Sequence, residues 1–360
     1  MRDTWAHPDS HDNQQAADVL RRYSYAESPL MFAPQPLLRA VGSLGGLSGA
    51  RFWRVTLGGQ PRLLRKWPAH VSAAWLSELH ALLRHVNAVG IQEAPAPLAD
   101  ASGSTVVAHA GHSWELNDWL PGSPIEEVLP NATAQAARPG IAAGAAALAR
   151  FHEACVAYPN RPGSLGSPNA VRKRQQALQE LAAGPPTAPP PDGEHLVTQH
   201  DSAAILARLQ SLGPRMLRQV AAVSDQPTRL QMIHGDARRE HLLLSNGRVT
   251  GLIDFGAVTY DTPLVDLARW LGETCSECPA AWADGLAAYH ALRPLTDLER
   301  RLTPLLAVSG TLIAASNWLR WSAEPSMNLG SRAAPQARIQ QLARRLELIA
   351  SGRHAAQIVD

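Results

Sequence analysis

Residues 232–256, MIHGDARREHLLLSNGRVTGLIDFG, hold the densest chemistry in the chain. An apolar strand end delivers His234, Gly235 and Asp236 into a loop. His241 follows at the head of an LLL run, then a Ser-Asn-Gly turn, and VTGLIDFG carries a second strand into Asp254. Two acids, each at the end of a short strand with a polar side chain between them, suit metal-assisted phosphoryl transfer. One carboxylate orients or deprotonates an acceptor hydroxyl; the other helps hold a divalent ion on nucleotide phosphates. HGD alone and DFG alone are weak signals. With the two aspartates eighteen positions apart across a β-turn, each strengthens the other.

The pattern resembles the aminoglycoside phosphotransferase and choline-kinase-like family, whose motif reads HGDxxxxN, a hairpin, then IDF or IDW. The resemblance implies an α+β, two-lobed protein-kinase-like fold. A small antiparallel-sheet N-lobe (residues 1–118) would carry a nucleotide-binding hairpin and one long helix. A larger, mainly helical C-lobe (119–360) would carry the catalytic loop and the acceptor site. Carried over by position, Asp236 is the catalytic base and Asp254 the main metal ligand. The family also implies ATP as donor, Mg2+ as the ion, and a small hydroxylated acceptor of aminoglycoside, choline or sugar type. Asp261 and Asp266, in YDTPLVDLARW, match a downstream segment whose second aspartate braces the catalytic loop. WELNDWLPG matches the adenine-binding hinge, with Glu115 and Leu116 offering backbone groups; ALARFH places His152 as a buried support.

One position departs from the motif: His241 stands where the family has Asn. An amide oxygen suits hard magnesium, whereas imidazole is a softer ligand better matched to manganese, iron or zinc. Three readings follow. The site takes another ion such as Mn2+, or it holds Mg2+ through Asp254 and phosphates with His241 outside, or it is impaired. The last defines a rival, a degenerate kinase-like nucleotide-binding protein. A protein kinase is a further rival, disfavoured because no activation-loop and APE-type sequence follows Asp266.

The elements that must position these groups are legible in outline. Residues 14–24 read as a lead-in helix. LLRAV (37–41), GSLGGLSG (42–49), ARFWRVTL (50–57), the GGQP turn (58–61) and RLLRKW (62–67) read as strand, glycine loop, strand, turn, strand. A dinucleotide fingerprint would open a helix after the glycines and a Walker loop would end in Gly-Lys-Ser/Thr, so a phosphate-covering hairpin fits best. Gly45, Gly46, Ser48 and Gly49 are its candidate phosphate contacts. Arg65 and Lys66 are adjacent on a strand and point to opposite faces; if Leu64 faces the core, Arg65 faces the phosphates, and if Leu63 does, Lys66 does. Glu78, on the helix expected over 71–88, is the candidate counter-ion. Strands are expected at 104–109, 113–119, 231–234, 241–244 and 249–254. Helices are expected over 133–156, with a break at Pro139-Gly140, and over 198–223. GPPTAPPPDGE (184–194) reads as a polyproline-like surface insertion.

Composition narrows the rest. A net charge of +2 gives little reason to expect nucleic acid as the main partner, which would call for a clustered basic face. No apolar leader stands at the N-terminus, and the uncharged stretch 302–319 contains Pro304 and Asn317. We therefore expect no membrane partner and a cytoplasmic location. Oligomeric state is not readable. Cys275 and Cys278 lack a second pair to complete a zinc site and are expected to pack in a helix. Acceptor candidates are Trp318, Trp321, Asn317 and Arg320, with acids Glu273, Glu277, Asp284 and Glu324; nothing in their spacing selects among them. Of 33 Lys and Arg residues only Lys66 and Lys173 are lysines, which singles out Lys66 beside the expected phosphate site.

Overall fold

The computed structural model describes residues 10–23, 39–42, 49–128, 133–184, 199–323 and 333–356. These fall into two compact units that divide between Pro121 and Gly122. The architecture is mixed α+β, with antiparallel sheets and long helices.

In the first unit, α1 (Ser10–Leu20) precedes β1 (Arg39–Gly42), β2 (Arg51–Leu57), β3 (Gln60–Lys66), α2 (Ala73–Ala88), β4 (Val107–His109) and β5 (His112–Asp118). The strands form one antiparallel sheet in the order β1-β2-β3-β5-β4. Leu57 pairs with Gln60, so β2 and β3 join through Gly58 and Gly59 alone. Both have positive φ, 56° and 74°, as a two-residue hairpin turn that matches strand twist requires. Alternation along the strands buries Trp53, Val55, Leu64, Trp114 and Leu116 against Ala16, Val19 and Leu20 of α1. Trp53 and Trp114 stack at 5.3 Å, which anchors this core. Gly45, Gly46 and Ser48 lie outside the described residues; Gly49 is exposed with φ of 70°.

The second unit begins with β6 (Ser123–Pro124), α3 (Ile125–Val128), α4 (Arg138–Val156), β7 (Ser164–Gly166), α5 (Asn169–Ala183) and α6 (Gln199–Ala221). β8 (Thr228–Ile233), β9 (Leu242–Ser245), β10 (Arg248–Leu252) and β11 (Thr259–Asp261) follow. Then come α7 (Leu264–Thr274), α8 (Pro279–Leu292), α9 (Asp297–Ala323) and α10 (Ala333–Ala350). Two three-stranded sheets, β10-β9-β6 and β11-β8-β7, sit among the helices. The chemistry-bearing loop links one to the other, from β8 to β9. The expected break at Pro139-Gly140 is instead a helix start. α4 opens at Arg138, and proline fits its first turn because no intrahelical acceptor awaits that N–H. α9 is long and apolar enough to cross a membrane by length and composition alone, yet 67% of its most apolar window is buried within the protein.

Candidate active site

The loop is shaped first by Asp266. This carboxylate, on the first turn of α7, is fully buried. Its Oδ2 accepts the His234 N–H at 2.8 Å and its Oδ1 accepts the Gly235 N–H at 2.9 Å. His152 of α4 donates from Nε2 to Asp266 at 3.0 Å and accepts the Tyr289 hydroxyl at Nδ1, 2.8 Å away. Burial outweighs the nearby carboxylate and lowers the His152 pKa, so the ring stays neutral and this tautomer is fixed. Gly235 could be no other residue. Its φ is 80°, and a Cβ there would stand 2.1 Å from the Ala257 carbonyl oxygen. His234 closes the loop from the other side, donating from Nε2 to the Ile253 carbonyl at 2.8 Å, beside Phe255. The strand end that bears Asp236 is thus tied to the strand end that bears Asp254.

Asp236 leaves this frame partly exposed, and two guanidinium groups hold it. Arg269 donates from Nη2 to Oδ1 at 2.6 Å, and Arg238 Nε lies 3.2 Å from Oδ2. His241 donates from Nδ1 to the Asp236 backbone carbonyl at 2.7 Å. Its Nε2 accepts from Arg238 at 3.2 Å and lies 3.7 Å from Asp254 Oδ2. Arg has no acceptor to offer, so Nε2 carries a lone pair rather than a proton. Burial first, and the Arg238 charge second, lower the His241 pKa. A neutral imidazole nitrogen and the Asp254 carboxylate thus stand side by side, Asp254 with a left-handed backbone at φ 61°. These two donors fit a divalent ion that takes its remaining ligands from phosphate and water. Among the described residues no three His, Cys, Asp or Glu side chains form a ready cage.

In the first unit, Leu64 lies in the core, so Arg65 occupies the opposite face. Its guanidinium carbon stacks 3.5 Å from the Trp67 ring centre and 4.9 Å from Phe52. Lys66 faces α1, where Nζ donates to Asp12 at 2.8 Å and to Gln15 at 2.7 Å. The scarce lysine therefore fastens the lead-in helix. Glu78 lies on an exposed face of α2, and the buried polar position on that helix belongs to His80. His80 Nε2 is 2.6 Å from Glu115 Oε2, and its Nδ1 is 2.9 Å from Thr105 Oγ1. Glu115 is opposite Arg65 in the sheet register. Glu115 and Leu116 sit inside β5 rather than beyond it: the Glu115 side chain is spent on His80, Leu116 on the core, and the Leu116 carbonyl on the Leu98 N–H at 2.8 Å.

The candidate acceptor acids separate. Glu273 is buried among arginines, 2.5 Å from Arg338 Nη2, 3.9 Å from Arg345 and 4.0 Å from Arg269. Burial alone would raise its pKa, but those three charges hold it at about 2. Asp284 pairs with Arg138 at 2.6 Å, Glu277 is exposed, and Glu324 lies outside the described residues. Trp318 and Trp321 pack edge to face at 5.4 Å. Cys275 is buried and donates to the Leu271 carbonyl, but the pair lies in no helix: Cys275 caps the end of α7 and Cys278 the start of α8, because the chain turns between the two helices there. Sequence reading missed Arg238, Arg269 and Glu273 as one charged cluster, and it missed the His80–Glu115 pair. Only the helical spacing of Asp266, Arg269 and Glu273, which puts them on one face of α7, hinted at the first.

A model of the phosphotransferase enzyme family matches residues 41–305. The chain is 26% identical over 307 residues to the homoserine kinase of Gluconacetobacter diazotrophicus, covering 84% of this chain and 87% of that one. With the homoserine kinase of Polaromonas naphthalenivorans it shares 36% identity over 84 residues, which span 22% of this chain and 27% of that relative. Among solved structures, an amicoumacin kinase in complex with AMP-PNP and Ca2+ superposes with a TM-score of 0.58 at 14% identity, covering 94% of this chain and 96% of that one. That likeness speaks for the fold.

Proposed function

The chain belongs to the phosphotransferase enzyme family, an ATP-dependent class that phosphorylates small-molecule hydroxyls, and from that membership we propose that Asp236 is its catalytic base. Asp236 accepts the proton of the acceptor hydroxyl as that oxygen bonds to the γ-phosphorus of ATP and the bond from the γ-phosphorus to the bridging oxygen breaks, releasing ADP. The observation that carries this reading is the double amide clamp of Asp266 on His234 and Gly235, which presents Asp236 from a rigid loop next to Asp254 and His241. Asp254 and His241 would hold the divalent ion. Such an ion, Mg2+ or Mn2+, supplies charge neutralisation on the phosphates. Arg65, on the face of the sheet away from α1, supports a role in binding phosphate, for which its planar donor fork is suited. Gly45, Gly46, Ser48 and Gly49 remain the proposed covering hairpin. The acceptor is a small hydroxylated molecule, and homoserine, named in the relatives, is the first to try.

A second reading is supported by one feature: Arg238 and Arg269 occupy both oxygens of Asp236, which suits a binding protein without transfer as well as a poised base. Asp236→Asn separates the two. We expect the substitution to lower kcat with an accepted acceptor at least 1,000-fold while nucleotide affinity stays within about threefold, in the range typical for loss of a positioned base. A variant that still transfers phosphate, or a wild-type protein that binds ATP and transfers to nothing, rejects the base assignment.

A further inference from the structure

Arg293, at the C-cap of α8, is the most deeply buried arginine among the described residues, with 1% of its surface exposed. A guanidinium taken out of water is costly unless its donors find acceptors. All three of its nitrogens do. Nε donates to Glu153 Oε1 at 2.8 Å, Nη2 to Gln231 Oε1 at 2.7 Å and Nη1 to the Tyr289 hydroxyl at 3.4 Å. Glu153 is half exposed, so the ion pair alone is a weak reason to keep this charge inside. The other two partners are buried, and both lead toward the loop that bears Asp236.

A guanidinium only donates, and that fixes every hydrogen downstream of it. Arg293 offers the Tyr289 oxygen no acceptor, so the phenolic proton goes to His152 Nδ1, 2.8 Å away. Nδ1 then holds a lone pair. The single proton of the ring stands on Nε2 and is donated to Asp266 Oδ2 at 3.0 Å. Asp266 in turn takes the His234 and Gly235 amides. With the tautomer reversed, Nε2 would set a lone pair against Oδ2 and push the carboxylate off the His234 amide. The second arm is equally determined. Gln231 gives Oε1 to Arg293, so its Nε2 faces the His152 carbonyl at 2.5 Å and ties β8 to α4 three residues before His234. One buried charge thus orients both the strand that delivers the loop and the carboxylate that clamps it.

We propose that Arg293 and Tyr289 are positioning residues for phosphate transfer: through His152 and Asp266 they hold the loop so that Asp236 meets the acceptor hydroxyl in one orientation. The proposal rests on the kinase reading for its catalytic meaning, and the test keeps the two apart. Both residues act through Asp266, on the side of the loop away from Asp254 and His241. Their loss should therefore fall on kcat and leave nucleotide binding alone.

The test follows ADP release from ATP in the full chain, with L-homoserine as acceptor or with water alone where homoserine is not taken. Wild type is compared with Tyr289→Phe, Arg293→Gln, Arg293→Lys and the double variant of the first two. Amide hydrogen exchange at His234 and Gly235 is measured alongside. Tyr289→Phe keeps the ring and its packing and removes only the hydroxyl. It should lower kcat about tenfold with KM for ATP within about threefold, as loss of alignment rather than of binding does. It should also speed exchange of the two loop amides by about tenfold more than exchange in α9. Arg293→Gln, which disturbs both arms, should lower kcat further, and Arg293→Lys, which still donates, should recover part of it. Because the two residues act in series, the double variant should fall to about the level of Arg293→Gln alone. An unchanged kcat in an active Tyr289→Phe, a loss carried by KM for ATP, or a double variant whose loss is the product of the two single losses would overturn the proposal. Faster loop exchange in a protein that releases no ADP from any mixture would leave the hydrogen-bond chain standing and reject the kinase reading. Undisturbed loop exchange in both single variants would reject the chain whether or not phosphate moves.

Discussion

His241 turns a question of motif into one of ligand chemistry. Its proton is committed to the Asp236 carbonyl, so Nε2 carries the lone pair, which accepts from Arg238 at 3.2 Å with Asp254 Oδ2 3.7 Å away. That is the preparation an imidazole ligand needs. His241→Asn should restore a hard oxygen donor and raise the ratio of kcat/KM with Mg2+ to that with Mn2+ by about tenfold or more. An unchanged ratio would place His241 outside the coordination shell. The spacing of Asp236, His241 and Asp254 was legible because local sequence sets it. Arg238, Arg269 and Arg338, which meet through Asp236 and Glu273, were not legible as a group, because charge clusters assembled from distant segments leave no periodic trace in a chain this rich in arginine. The two neighbouring bases of β3 make the same point. Alternation alone said that they point apart; only the burial of Leu64 said which way. Arg65→Met should raise KM for ATP about tenfold or more. Lys66→Met should leave it within about twofold yet lower Tm by several degrees, since it removes the ammonium that Asp12 and Gln15 share. A reversed pattern in ATP titrations and melts would exchange their roles.

At the level of elements, the loop between β8 and β9 owes its shape less to the strands than to α7. Asp266 sits on that helix, and it satisfies two consecutive amides that the turn at Gly235 leaves without backbone partners. Strands, hairpin turns and helices were readable from alternation and from Gly and Pro placement, because these follow from each segment's own preferences. The lead-in helix runs over Ser10–Leu20 instead of the expected 14–24, and α4 begins where a break was expected, since packing and capping rather than periodicity set the ends. Gly235→Ala tests the clamp. The new methyl would collide with the Ala257 carbonyl and force a left-handed alanine, so we expect a loss of about 2–4 kcal/mol in denaturant unfolding together with loss of transfer. Retention of both stability and activity would mean that the loop can be rebuilt without this turn.

For the molecule as a whole, buried neutral histidines tie stability to pH. His354, 4% exposed, accepts the Ala356 N–H at Nδ1, while its Nε2 is buried without a partner among the described residues. Burial, then the charge of Arg345, brings its pKa down from 6.5 to about 4. His152 is shifted in the same direction. For a base whose folded pKa is depressed, the unfolded chain takes up protons first as pH falls through about 6.5. Stability is therefore full above that value and declines toward pH 4, by about 3 kcal/mol for His354 alone at the ordinary conversion of a pKa shift. Glu273, held at about 2, adds its own loss as pH falls from about 4.5 toward 2, so its window follows on from that of His354. His354→Asn keeps an acceptor two residues before the Ala356 amide but cannot be charged. Its Tm should fall less than that of the wild type between pH 7 and 4.5, and parallel melting curves would assign the acid sensitivity elsewhere. The same low-pH series measured on Arg345→Met would raise the His354 pKa and move the decline to lower steepness, because one cation pressing on the ring is gone, though Glu273 would lose a partner too. The sign of that second shift distinguishes a stability set by burial alone from one set by the arginine cluster that also surrounds the candidate active site.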